Sequence, residues 1–399
     1  MPIELKTFNN KISIILLLLI LSNYFFMSLG VFNLVLKINT ILFFLIIIYF
    51  YARNFKNNLS LKIYFLLILI ICLGTPAEGW DLRSLYLFHA KRIFFDQSIY
   101  SVADNYAAFS HNDYPLLPHA FSASFAFLSG YWHEVFPKSA YSFFYLAPLI
   151  FLSSHISNNK YLILLSLIIF FLGTHLFDGG IDGLVAIYFV TTGYCIYEIF
   201  FSKNKENNNP IFIFSTFLFS ICLSLLKNEG FALLMLIFLT TIFISFFEKK
   251  ILFNLSRLLI LCFSFVPFII WKIFCYKNGV SNTDFTFALL NENLFERLLV
   301  LENFLLFFQY LIISNEKVLI SLLFFAFSFY LSFNKKLFYF VMVLFISYLG
   351  LLLIVYFSTP YDINYHLETS ANRVVESLTL LLGFFSLYNL NLKVLNKTS

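Results

Sequence analysis

The sequence predicts an all-α integral membrane protein of about twelve transmembrane helices, with further juxtamembrane helices at the outer face. Of 399 residues, 60% are hydrophobic and only 12% charged. Apolar runs of about twenty residues, the length that crosses a bilayer, also recur from end to end. A soluble domain carries about a quarter charged residues, so this chain lacks the polar surface that water requires. A net charge of +5 without a concentrated basic face excludes a nucleic-acid partner, and the apolar content excludes disorder. The five cysteines stand singly within apolar runs, with no CxxC and no histidine partner, and read as small buried hydrophobes.

Taken in order, full spans are expected near residues 12–32, 34–52, 62–77, 139–154, 160–177, 183–201, 211–227, 230–247, 252–275, 317–333, 337–357 and 373–390. The first run is too long for a signal peptide, lacks a small-residue cleavage site and is followed at once by another span, so it reads as an anchor. Two further apolar runs, 116–135 and 298–315, are settled by charge. Cytoplasmic loops collect Lys and Arg. The basic turns are Lys6/Lys11, Arg53/Lys56/Lys62, Lys160, Lys203/Lys205, Lys249/Lys250/Arg257, Lys335/Lys336 and Lys393/Lys397. They share one side only if neither run crosses. Both runs are therefore expected as helices lying at, or dipping into, the opposite face. Among the 21 acids only Glu4, Glu198, Glu206 and Glu248 share the basic side. The others gather outside near helix ends, which an outward-facing polar site explains. The long polar segments 77–116, 276–298 and 358–372 face outward too and fit functional loops. Residues 1–61 are expected as two N-terminal transmembrane helices and 62–399 as a membrane core, with no internal repeat.

Five polar clusters fall on the outer side. The first loop begins Gly79-Trp80-Asp81-Leu82-Arg83 and continues Phe88-His89-Ala90-Lys91-Arg92. Just beyond a span, Asp81 is held partly out of water, where a carboxylate acts as a general base or binds a cation. Lys91 and Arg92, about three helical turns on, offer charge to a phosphate; with Trp80 and Tyr86 they equally compose an interfacial anchor. In His111-Asn112-Asp113-Tyr114-Pro115-Leu116-Leu117-Pro118-His119 two prolines forbid a strand and permit a helix only from its first turn. The result is a rigid corner bearing His111, Asp113 and Tyr114, without a recognisable metal-ligand spacing.

The third cluster, His175-Leu176-Phe177-Asp178-Gly179-Gly180-Ile181-Asp182-Gly183, has glycines that allow close backbone approach and two acids that share a face if the turn is helical. A divalent cation at Asp178 and Asp182, or sugar hydroxyls, would satisfy acids placed beside lipid. In Lys227-Asn228-Glu229-Gly230, which joins two apolar runs almost without a loop, Lys227 either pairs with Glu229 or serves a phosphate or sugar. Lastly, Asp362 and Tyr365 lead to His366, Thr369, Ser370 and Arg373, a polar stripe at 3–4 spacing. An arginine entering hydrocarbon calls for an anion such as a lipid phosphate, or snorkels to ordinary headgroups. No P-loop, GxSxG, HExxH or dinucleotide fingerprint is present.

The order of these motifs resembles the polytopic glycosyltransferases of the GT-C superfamily, and most of all bacterial members that use polyprenyl-phosphate sugars. Trp80-Asp81 and Ala90-Lys91 are similar to their first-loop aspartate and basic Ala-Lys element. Asp113-Tyr114-Pro115-Leu116-Leu117-Pro118 is similar to their DYPLL-P corner, and Gly180-Ile181-Asp182-Gly183-Leu184 to their second acidic loop. Lys227–Gly230 and the late Asp362, His366 and Arg373 complete a likeness that covers residues 62–390. It departs from the pattern at His89, where a lysine is usual, and at Asp178, an extra acid.

The resemblance implies a multi-pass enzyme of the bacterial inner membrane, active on the periplasmic or extracellular face. Asp81 would be its catalytic base and Asp182 its second-loop acid. Lys91, Arg92, Lys227 and Arg373 are the candidates for the donor phosphate. His111, Asp113, Tyr114, Asp178, Asp182, Glu229, Asp362 and His366 are the candidates for sugar, acceptor or metal. The partners implied are a polyprenyl-phosphate sugar, a glycan, lipid or protein acceptor, and membrane lipids. A secondary transporter and a noncatalytic lipid-binding protein are the rival classes. A transporter carries its charges near mid-membrane, often in inverted repeats; a noncatalytic scaffold would leave Asp81 and Asp182 apart.

Overall fold

A computed structural model describes residues 3–53, 59–77, 79–156, 159–172, 180–202, 210–248, 257–259, 261–280 and 287–398. Among these residues the regular structure is helical throughout, with no strand. The chain begins with α1 (Ile3–Ser28), α2 (Leu34–Arg53) and α3 (Leu59–Gly74), then a π-helical turn (Leu82–Tyr86) running into α4 (Leu87–Asp96). It continues through α5 (Leu117–Ser129), α6 (Val135–Ser154), α7 (Asn159–Leu172), α8 (Asp182–Phe200), α9 (Pro210–Leu226) and α10 (Asn228–Phe247). Next come α11 (Val266–Lys277), α12 (Phe287–Leu298) and α13 (Leu301–Phe308), with a second π turn at Gln309–Ile313. The last four are α14 (Glu316–Leu331), α15 (Lys335–Ser358), α16 (Ile363–Val374) and α17 (Glu376–Thr398).

Among the described residues eight stretches are long and apolar enough to cross a membrane: Lys6–Ser28, Leu34–Arg53, Val135–Ser154, Asp182–Phe200, Asn228–Phe247, Arg257–Lys277, Lys335–Ser358 and Ile363–Val394. Lys62–Gly74, Asn159–Ile169 and Pro210–Leu226 are apolar but shorter. The chain is a multi-pass membrane protein. Its outer helices show the expected inversion: α2 buries Leu36, Phe43, Ile47 and Phe50 and turns Ile38, Ile41, Leu45 and Ile48 outward, where lipid replaces water. At the centre stands α8, buried from Gly183 to Phe200 and packed on α6, α9, α10 and α17. The first two helices are not an appendage. α1 packs on α2, α5, α6 and α9, and Ser13 Oγ donates to the Ala147 carbonyl at 2.8 Å.

The two runs that charge removed from the spans behave differently from each other. α5 has 13 residues, about 20 Å at 1.5 Å per residue. Leu117 to Phe127 are all buried, so the helix is enclosed by protein rather than laid on a membrane surface. Its limits are those the sequence suggests: Pro118 lies in the first turn, and Gly130 ends the helix at a left-handed φ of 81°. The second run forms α13 and the π turn, and Leu301–Ile313 meets Glu316–Leu331 at 70°. The span of α14 opens there, with the Asn315 side chain accepting from Val318 N.

Among the described residues, cations of three basic turns sit against helix ends on the side of the bundle where α8 finishes. Lys336 pairs with Glu248 at 3.0 Å, Arg257 donates to Ile199 O at 3.3 Å, and Lys393 donates to Leu331 O at 2.8 Å. There cations satisfy the free carbonyls of helix C-termini.

At the opposite end Lys227, in an extended conformation, is the single residue between α9 and α10. The tight joint depends on Gly230, where a Cβ would stand 2.1 Å from the Leu223 carbonyl oxygen. His89 and His119 lie buried near this end with their rings 5.3 Å apart. His89 Nε2 donates to Ser110 O at 2.7 Å and His119 Nδ1 to Tyr86 O at 3.1 Å. Burial pushes His89 down to about 4 and His119 well below the ordinary histidine value, so both are neutral.

Two outcomes are expected. Gly230→Ala should destabilise the protein by about 2 kcal/mol or more through backbone collision, seen as a lower midpoint of thermal unfolding in detergent; an unchanged midpoint would refute the close packing. For His89 the folded pKa (about 4) lies below the unfolded value of 6.5. Its contribution is therefore complete above pH 6.5 and drains away as pH falls toward 4. Between pH 7.5 and 5 the wild type should lose more thermal stability than His89→Gln, and equal losses would count against this assignment.

Candidate functional site

The end of the bundle opposite the basic turns contains a cavity of about 190 Å³. Its polar lining comes from Asp81, His111, Tyr114, Asp182, Lys227, Glu229, His366, Ser370 and Arg373. The rest is Leu85, Tyr86, Tyr348, Leu351, Leu352, Val355, Tyr356 and Val374. Each polar group arrives for a local reason. Asp81 precedes the π turn, a wide turn that is frequent at functional sites. Asp182 and Glu229 occupy the first turns of α8 and α10, where helix dipoles favour negative charge. Lys227 is fixed by the α9–α10 joint.

The amphipathic α16 presents His366, Ser370 and Arg373 on one side, as the 3–4 spacing predicted; Thr369, on the same expected stripe, is exposed and donates to Tyr365 O. The segment before α16 is gripped from α12. Arg297 donates to Thr359 O and Tyr361 O, each at 2.9 Å, and Asn293 to Thr359 O at 3.0 Å.

Ion pairs join the lining into one network. Arg373 Nη1 donates to Asp81 Oδ2 and stands 4.0 Å from Asp182 Oδ2. Lys227 Nζ lies 3.1 Å from Asp182 Oδ1 and 3.0 Å from Glu229 Oε1, and 5.7 Å from the Tyr114 ring centroid. Burial alone would lower the Lys227 pKa. The Asp182 and Glu229 carboxylates overcome it and hold the ammonium well above the ordinary lysine value. His111 stacks on Tyr114 at 4.8 Å and adopts φ 48°, a left-handed conformation costing a non-glycine residue about 1 kcal/mol or more. On the α15 side Tyr356 Oη and Ser370 Oγ are 2.8 Å apart, and Tyr348 Oη donates to Val374 O at 3.0 Å.

Other expected site residues lie elsewhere. Asp113 stands behind the cavity in a clamp: its carboxylate takes Lys272 Nζ and Asn228 Nδ2, each at 2.8 Å, and its carbonyl takes Trp271 Nε1 at 2.9 Å. Lys91 is exposed on α4 and does not line the cavity. Arg92 braces the first loop, pairing with Asp104 at 2.7 Å and Asp96 at 3.4 Å. Asp362 caps α16 by accepting from Tyr365 N at 3.0 Å. Asp178 lies outside the described residues. Among those described, no group of three His, Cys, Asp or Glu side chains is arranged to hold a metal ion, and Asp182 faces two cations instead.

Sequence reasoning missed Tyr348 and Tyr356, tyrosines in a chain with 24 of them, which carry no distinguishing signal. It also missed Lys272, whose charge inside an apolar run was such a signal. No protein-family model, curated protein or solved structure matches this chain.

Lys272→Met would remove the Lys272 ammonium from the almost fully buried Asp113 carboxylate. With Asn228 still donating, the expected cost is about 2 kcal/mol, read as a lower unfolding midpoint, while Lys91→Met should leave the midpoint within error.

Proposed function

We propose that the protein is an inverting membrane glycosyltransferase that moves a sugar from a polyprenyl phosphate to a hydroxyl group of a cell-envelope glycan, lipid or protein. The observation that carries this reading is the convergence of Asp81 and Asp182 on one cavity, with two cations between and beside them. A scaffold has no need for such convergence, and a transporter would hold it nearer mid-membrane.

On this reading the bent pair and the three shorter apolar helices cross as well as the eight long spans, for twelve crossings in all. With the basic turns in the cytoplasm, the cavity opens on the periplasmic or extracellular face of the inner membrane. A lipid carrier lying among the helices then brings its phosphate to headgroup level. Arg373 and Lys227 meet the phosphate, and His111, Tyr114, Glu229 and His366 meet hydroxyls of the sugar or acceptor.

Asp81 takes the proton of the acceptor hydroxyl as its oxygen attacks the anomeric carbon. The bond from that carbon to the phosphate oxygen breaks, and the electron pair leaves on the lipid phosphate. Arg373 and Lys227 stabilise the charge that develops there, across an oxocarbenium-like transition state. Single displacement inverts the anomeric centre.

Purified protein in lipid should consume labelled polyprenyl-phosphate sugar when acceptor-containing membranes are supplied, and Asp81→Asn should lower turnover about a hundredfold or more. Undiminished turnover in that variant would remove Asp81 as the base; no turnover of any donor by the wild type would remove the activity.

A further inference from the structure

The cavity's charged groups alternate in sign: Asp81, Arg373, Asp182, Lys227, Glu229. Both cations are held by carboxylates of the same chain, and those carboxylates number three to two. An incoming anion therefore reaches the Arg373 fork only by displacing a carboxylate or by lying against one. The two carboxylates beside Arg373 are not equivalent. Asp182 has Lys227 as a second partner, opens α8 and is 12% exposed. Asp81 accepts from Arg373, is 37% exposed, and sits where the chain enters the π turn. Of the two, Asp81 is the one that can swing away without leaving a buried charge behind.

We infer that Asp81 occupies the phosphate subsite as an internal anion, and that an arriving lipid phosphate displaces it from Arg373. This rests on the reading of the cavity as a polyprenyl-phosphate site. Its consequence is a compulsory order. Until the donor phosphate binds, the Asp81 carboxylate is engaged by the guanidinium and turned from any hydroxyl. Once displaced, it is a free base beside the anomeric carbon. The base is released by the substrate that needs it.

The test is equilibrium binding of sugar-free polyprenyl phosphate to the full chain in lipid nanodiscs, with inorganic phosphate as a second probe. Asp81→Asn should bind at least tenfold tighter than wild type, because the competing anion is gone, and Asp81→Glu should bind like wild type. Asp362→Asn removes one negative charge near the same end of the protein but from neither cavity cation, keeps a side chain able to cap α16, and should change affinity less than threefold. Adding Arg373→Gln to Asp81→Asn should abolish the gain.

Equal or weaker binding by Asp81→Asn overturns the inference, as does an equal gain in Asp362→Asn, which would mark a general charge effect. The binding ratio does not depend on turnover. Tighter binding by an Asp81→Asn variant that still transfers sugar leaves the displacement standing and removes the base. If only inorganic phosphate shows the ratio, the donor reading falls and the displacement stands.

Discussion

Arg373 is the constraint on which this end of the protein depends. It lies near the C-terminus of α16, where the chain turns from an amphipathic helix into the apolar α17, and it is two-thirds withdrawn from solvent. A guanidinium at such a depth is tolerated only when anions meet it. Those anions come from the loop after α3 and from the start of α8. Satisfying one arginine thus draws together segments that are distant in the chain, and Asp182 extends the same demand to Lys227 and the α9–α10 joint. The cavity is where these requirements meet.

A second clamp holds the first in register. Asp113 receives Lys272 and Trp271 from α11 and Asn228 from α10, next to Lys227 in the chain. The proline corner is thereby tied to two helices, and its neighbours His111 and Tyr114 are delivered to the cavity wall. The left-handed His111 belongs to this arrangement: its conformation is uphill on its own and is held by the stacked Tyr114 and the anchored Asp113. Arg297 does the same for α16 by fixing the carbonyls just before it.

What the sequence made legible follows from what costs free energy in a membrane. Long apolar helices were readable because a bilayer demands about twenty apolar residues. α5 was harder, since a helix buried in protein and one facing lipid have the same composition, and only its proline and glycine boundaries betray its 13 residues. Asp81, Asp182, Lys227, Glu229 and Arg373 were readable because charges at the edge of hydrocarbon need partners. Lys91, Arg92 and Asp362 were grouped with them through sequence proximity. Yet charges near water are cheap to place, and these three lie on an exposed face, in a loop brace and in a helix cap. Tyr348 and Tyr356 were invisible for the converse reason: a tyrosine in an aromatic-rich helix breaks no rule.

The composition of the lining narrows what kind of molecule could satisfy it. A simple anion drawn to Arg373 and Lys227 would also meet the repulsion of three carboxylates at close range, where little water screens them. A neutral polyol would find acceptors in Asp81, Asp182 and Glu229 but would do nothing for the cations. A molecule that carries one phosphate and several hydroxyls answers both halves at once, its phosphate on the cations and its hydroxyls donating to the carboxylates. Such a molecule, with an apolar tail, could also approach from the lipid that the flanking helices already face. Mixed charge, apolar flanks and the excess of carboxylates thus support a lipid-linked sugar phosphate over either a free anion or a free sugar.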